Sequence, residues 1–113
     1  MVLTKDFKDT IVKRVQEDSE FRICLLTEAI NCFLEGDTET GKIILRDYIN
    51  ATIGFEELAN LTQKSSKSLM RMLSVNGNPY ANNLFEIIYY LQKKEGLTLK
   101  VSVYEFNLLN ENC

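Results

Sequence analysis

The sequence predicts an all-α protein, a bundle of about six helices with one β-strand at the C-terminal end. Three observations carry that prediction. Apolar residues recur at helical spacing through most of the chain, capping residues and glycines punctuate the pattern, and only the segment after Gly96 switches to a two-residue period. At 113 residues, with 45% hydrophobic and 26% charged content, the chain has the size and composition of one globular domain able to bury its own core.

The first helix is read from Phe7, Ile11 and Val15, spaced by four with Val12 beside them, and Thr4 stands where an N-cap belongs. A second covers about 18–35 and stops at Gly36, a good residue just past a helix end. Its apolar residues, among them Phe21, Leu25, Leu26, Ile30, Phe33 and Leu34, cover more than the stripe of a simple surface helix. It is therefore either central to the core or also part of a subunit contact. Asp37 or Thr38 caps a third helix through Ile43, Ile44, Leu45, Tyr48 and Ile49, which ends near Gly54.

Two short helices follow at about 55–62 and 66–74, joined by a tight turn. After Asn76-Gly77-Asn78-Pro79 a sixth helix spans about 80–95, burying Leu84, Ile87, Ile88 and Leu91, and Gly96 ends it. No repeat or linker divides the elements, so one domain over 1–113 is expected. It comprises N-terminal helices (1–36), a helical core (37–95), a strand (97–105) and a frayed tail (106–113).

In the strand, Leu97, Leu99, Val101 and Val103 alternate with Thr98, Lys100, Ser102 and Tyr104. A lone strand leaves main-chain donors and acceptors unpaired. The economical partner is the same strand of a second copy, which makes those four apolar residues the candidate dimerisation set. Another protein could supply the strand by β-augmentation, or the segment could lie alone on the helices or pair with residues 1–4.

Composition excludes much. Histidine is absent, and no P-loop, dinucleotide-binding glycine pattern or nucleophile elbow occurs, so neither an enzyme nor a metal or cofactor site is expected. No apolar run approaches the ~20 residues of a membrane helix, and the N-terminus lacks a signal-peptide pattern, so a cytoplasmic location is expected. Cys24, Cys32 and Cys113 lack metal-like spacing and read as reduced thiols, the first two as small core hydrophobes. The net charge of −3 is unevenly spread: residues 1–40 hold five Lys/Arg against nine Asp/Glu, and residues 41–113 hold eight against seven. The acid is concentrated away from the second of the two short helices.

Those short helices are the most informative part. Leu58 points inward, and Ala59 is small where the next helix must cross. Ser65 is placed to cap that helix, and Leu69, Met72 and Leu73 face the core. Ser66, Lys67, Met70 and Arg71 are left on the outer face. This is the layout of a helix-turn-helix, whose second helix enters a DNA major groove. Arg and Lys donate to guanine O6 and N7, Ser pairs with several base edges, and an apolar side chain touches a thymine methyl. A solvated amphipathic face would have the same Lys67 and Arg71. Asn78, Asn82 and Asn83 cluster where main-chain amides favour phosphate, though turn and capping chemistry also uses Asn there. Lys42, Arg46, Lys93 and Lys94 are weaker candidates for phosphate contact.

The run Gly54-Phe55-Glu56-Glu57-Leu58-Ala59, then Ser65, Leu69, Leu73-Ser74 and Gly77-Asn78-Pro79, resembles the addiction-module antidote proteins. These are small phage-derived (prophage) helix-turn-helix regulators of the Cro/lambda-repressor-like (XRE) superfamily, related to HigA-type antitoxins. The resemblance covers about residues 37–95 and leaves the N-terminal helices unexplained. It implies a dimeric regulator that binds double-stranded operator DNA, often encoded beside a RelE-like toxin. Two positions depart from the pattern. Gln63 stands where the family usually has Gly, requiring a positive φ or a changed turn, and Lys64 stands where an apolar residue is usual. Two functions follow as expectations: an antitoxin-type transcriptional regulator repressing its own operon, or a protein-interaction module that neutralises a RelE-like toxin with little DNA binding.

Overall fold

Six helices fill the described part of the chain, residues 5–103 and 105, in a computed structural model. They are α1 (Lys5–Glu17), α2 (Ser19–Leu34), α3 (Thr38–Ala51), α4 (Phe55–Thr62), α5 (Ser66–Met72) and α6 (Ala81–Glu95). Their bounds lie close to those read from the sequence. Local chemistry explains why. Asp18 caps α2 by accepting from the Phe21 amide at 3.1 Å, and Asp37 caps α3 by accepting from the Thr40 amide at 3.2 Å. Gly36 and Gly96 follow α2 and α6 with positive φ, where a side chain would be strained. The Thr4 cap and the 106–113 tail lie outside the described residues, as does Cys113.

The longest contact is between α2 and α3, and α4, α5 and α6 close the core from the other side. Leu26 and Ala29 of α2 meet Leu45, Tyr48 and Ile49 of α3, while Leu58, Leu69, Ile87 and Leu91 complete the cluster. Leu26, Leu45, Leu58 and Leu69 are fully buried, each contributing about 2–3 kcal/mol relative to exposure. Gly41 lets α3 approach closely, since a Cβ there would sit 2.8 Å from the Phe33 ring.

Burial on α1 and α2 is uneven, and for Cys24 this corrects the sequence reading. The stripe on α1 is not uniformly buried: Val15 is 1% exposed but Phe7 is 50% exposed, so α1 docks mainly by its C-terminal end. Cys24 is exposed and only Cys32 is buried, because the wide apolar surface of α2 has just one side against the core. Ile23 and Leu34 lie on the side left open.

A polar network lies at the edge of the apolar core. The Arg22 Nε donates to both Glu95 carboxylate oxygens at 3.2 and 3.1 Å, and Nη1 donates to the Val15 and Gln16 carbonyls. The Tyr48 hydroxyl also donates to Glu95. One carboxylate thus joins α2, α3 and α6 and, through Arg22, the last turn of α1. Burial first, then the bond to Glu95, pushes the Tyr48 phenol well above its ordinary pKa.

Residues 97–103 leave α6 in an irregular path, and no strand is formed among the described residues. The reason is local. Leu97 donates its amide to Gln92 O and Leu99 donates to the Gln92 side chain, so the segment is tied to α6 rather than to another strand. None of the described helices is long and apolar enough to cross a membrane.

Candidate nucleic-acid interface

The candidate interface extends outward from the junction of α4 and α5. The last turn of α4 is closed by Thr62, whose hydroxyl donates to the Leu58 carbonyl at 2.9 Å. Gln63 then takes φ 60° and ψ 32°, the left-handed conformation, and its amide returns to Ala59 O. The departure noted at this position is therefore met by backbone strain, which costs about 1 kcal/mol for a residue with a Cβ. Its side-chain amide donates to Asn60 O at 2.8 Å, holding the turn from outside. Lys64, where an apolar residue was expected, instead pairs with Glu86 of α6 at 2.7 Å. An ion pair replaces packing at that point.

Ser65 starts α5 as its sequence context required, accepting from the Ser68 amide at 3.0 Å. Leu69 and Leu73 are buried, and Met72 packs against the core cluster. The opposite face carries Lys67, Met70 and Arg71, all exposed, with Met70 at 44%. Among the described residues neither Lys67 nor Arg71 has a hydrogen-bond or ion-pair partner from its side chain. Ser66 differs, because its hydroxyl donates to Glu56 in the first turn of α4 at 3.0 Å. That bond fixes the start of α5 against α4 and partly withdraws Ser66 from the outer face.

After α5 the chain folds back on itself. Ser74 donates its amide and hydroxyl to Arg71 O at 3.2 and 2.7 Å, and the Gly77 amide donates to Ser74 O at 3.0 Å. Gly77 lies so close to the end of α5 that a Cβ would meet the carbonyl oxygens of Arg71 and Met72. Only glycine fits that approach. Asn78 and Asn82 follow as exposed side chains, and Asn82 accepts from the Asn83 amide at 3.0 Å. Asn82 is thus engaged by a bond to its neighbour within the first turn of α6, while Asn78 is open.

The weaker phosphate candidates divide sharply. Lys42 is only 7% exposed, and its ammonium donates to Gly77 O at 2.6 Å and Val75 O at 3.4 Å, so it is not a surface cation. A signal for this was present. Lys42 precedes Leu45 and Ile49 by three and seven residues and so shares the buried stripe of α3. Lys94 pairs with Glu57 at 2.6 Å, and Lys93 lies over the Tyr89 ring at 5.4 Å.

The candidate dimerisation residues are split as well. Leu97 and Leu99 are partly buried, Leu99 against the core, while Val101 and Val103 are 79% and 83% exposed. Beside them a groove of about 370 Å³ runs between α2 and α6, lined by Ile30, Leu34, Phe85, Ile88 and Val101 among others. Phe85, on the outer side of α6, had no part in the sequence reading. Its 66% exposure next to Leu34 at 63% marks an open apolar face.

Scans against protein-family models, curated proteins and solved structures returned no match to this chain.

Proposed function

We propose that this chain is a sequence-specific DNA-binding transcriptional regulator of the antitoxin type, with α4 and α5 acting as its helix-turn-helix. The carrying observation is the outer face of α5, where Lys67 and Arg71 are exposed and unpaired among the described residues while Leu69 and Leu73 hold the helix to the core. Most other cations near this region are spent on internal partners, including Lys42, Lys64 and Lys94. The chain thus keeps two free donors on one short helix whose start is fixed by Ser65 and by the Ser66–Glu56 bond.

In this reading Lys67 and Arg71 donate to base edges in the major groove, Met70 packs on a thymine methyl, and Asn78 and Asn82 contact the backbone. One seven-residue helix touches few bases. Specificity then requires two copies bound about one helical turn apart on inverted half-sites. Residues 97–103, with Val101 and Val103 turned outward, supply the edge for that pairing. Truncation after Gly96 is expected to convert a dimer to a monomer in sizing with light scattering. An unchanged dimer would move the contact to the helices.

The binding test is fluorescence anisotropy against the DNA upstream of the protein's own coding sequence, over a salt series. Affinity should fall as salt rises, and a folded Lys67→Ala/Arg71→Ala variant should lose at least tenfold. Full affinity and sequence preference in that variant would defeat the proposal.

A second reading is favoured by the open groove between α2 and α6. There the chain neutralises a RelE-like toxin, which covers Leu34, Phe85 and Val101, and DNA binding is secondary. Co-expression with the neighbouring gene separates the two: a co-purifying toxin with no DNA affinity supports the second reading, and DNA affinity with nothing co-purifying supports the first.

A further inference from the structure

We propose that Lys42 is a positioning residue of the DNA interface, holding the loop after α5 so that Asn78 meets the nucleic-acid backbone. The inference rests on the DNA-binding reading above and deepens it. Taking an ammonium out of water costs several kcal/mol unless it is well paired. Here both acceptors are main-chain carbonyls of one loop, Val75 O and Gly77 O, and the shorter bond is 2.6 Å. Glu39 borders the same small cavity, but no ion pair joins it to Lys42 among the described residues.

The loop is gripped from its other side by α5. Gly77 presses on the Arg71 and Met72 carbonyls, and Ser74 is bonded twice to Arg71 O. Residues 74–77 are therefore fixed between the end of α5 and a lysine from α3. A methionine would fill the same volume on the α3 stripe without the desolvation cost of the charge. The charge serves the loop's main chain, and the next residue, Asn78, is exposed and without a side-chain partner among the described residues. Lys42 thus sets the place of Asn78 relative to Arg71 without touching DNA.

The experiment uses the full chain and a labelled duplex selected by the wild-type protein from a random pool, with a random-sequence duplex at low salt as the fallback probe. Affinities are measured for wild type, Lys42→Met, Asn78→Ala and the double variant, with folding checked by circular dichroism at the assay temperature. Lys42→Met should bind about tenfold more weakly and Asn78→Ala about fivefold more weakly. The double variant should be no weaker than Lys42→Met alone, because displacing the loop has already removed the Asn78 contact. Ethylation interference gives a readout that a purely structural lysine would not move: phosphates needed by wild type should cease to matter in Lys42→Met, while base preference is retained.

Additive losses, or wild-type binding by both single variants, overturn the inference. If Lys42→Met does not fold, Gly77→Ala displaces the same loop with Lys42 intact and should lose the same phosphates; retention of all of them, or unchanged binding by Asn78→Ala, is again fatal. Wild-type protein that binds no duplex removes the DNA reading and this inference together, whereas wild-type binding with unaffected variants removes this inference alone.

Discussion

Replacing Arg22 by methionine should destabilise the fold by about 3 kcal/mol, and the structure sets that magnitude. Arg22 makes two bonds to Glu95 and two to main-chain carbonyls of α1. The Glu95 side chain is 9% exposed and that of Arg22 is 22% exposed. Removing one partner of a buried ion pair costs about 3–5 kcal/mol, most of it from the charge left behind. The partial exposure of Arg22, and the Tyr48 hydroxyl that still donates to Glu95, place the value at the low end of that range. For a domain of this size, a 3 kcal/mol loss lowers the melting temperature by roughly 15 °C. Urea and thermal unfolding followed by far-UV circular dichroism measure both. Glu95→Gln alone should cost about 2 kcal/mol, and the double variant should fall short of the sum by about 1.5 kcal/mol or more. A loss under about 1 kcal/mol for Arg22→Met, or additivity within about 0.5 kcal/mol, would refute the view that this pair joins the helices.

Other consequences follow from single positions. Gln63→Gly should leave stability within about 0.5 kcal/mol of wild type, because relief of about 1 kcal/mol of left-handed backbone strain is offset by the added freedom of the unfolded chain and the loss of an exposed bond to Asn60; a loss of more than about 1 kcal/mol in urea unfolding would contradict this. Tyr48 has a raised folded-state pKa, so its stabilising contribution is intact below the unfolded phenol value of about 10 and is lost as pH climbs above it. Between that value and the folded one, wild type should lose up to about 1.4 kcal/mol per pH unit more than Tyr48→Phe, and parallel pH profiles would argue against a buried, Glu95-bonded phenol. Cys24 should react with a thiol reagent in the native protein, while Cys32, 5% exposed and with a thiol pushed up by burial and by nearby Glu28, should react only on unfolding. Equal native rates for the two would show that α2 does not face the core as described.

Most helix starts and stops were legible because they depend on neighbours in sequence. Asp18, Asp37 and Ser65 cap through a residue three positions on, and Gly36 and Gly96 stop helices by their own conformational freedom. The inward and outward faces of α5 were legible for the same reason. What was not legible depends on residues far apart. Nothing local joins Arg22 to Glu95 or Lys42 to Gly77, so the partners were hidden even though the place of Lys42 on the α3 stripe signalled its burial. Period alone likewise did not show that Val101 and Val103 would stand clear of the body while Leu99 turned in. An alternating pattern gives two faces, but only the packing of Leu99 and the Gln92 bonds say which part of the segment is held.

Central to the functional account is the idea that the outer face of α5 reads base pairs, and that two copies read together. Selection of bound duplexes from a random pool by the intact chain measures both at once. The account predicts enrichment of two inverted half-sites spaced by about one helical turn, lost in a Lys67→Ala/Arg71→Ala variant that remains folded. A pool that stays random through selection, or the same enriched motif from that variant, would contradict it.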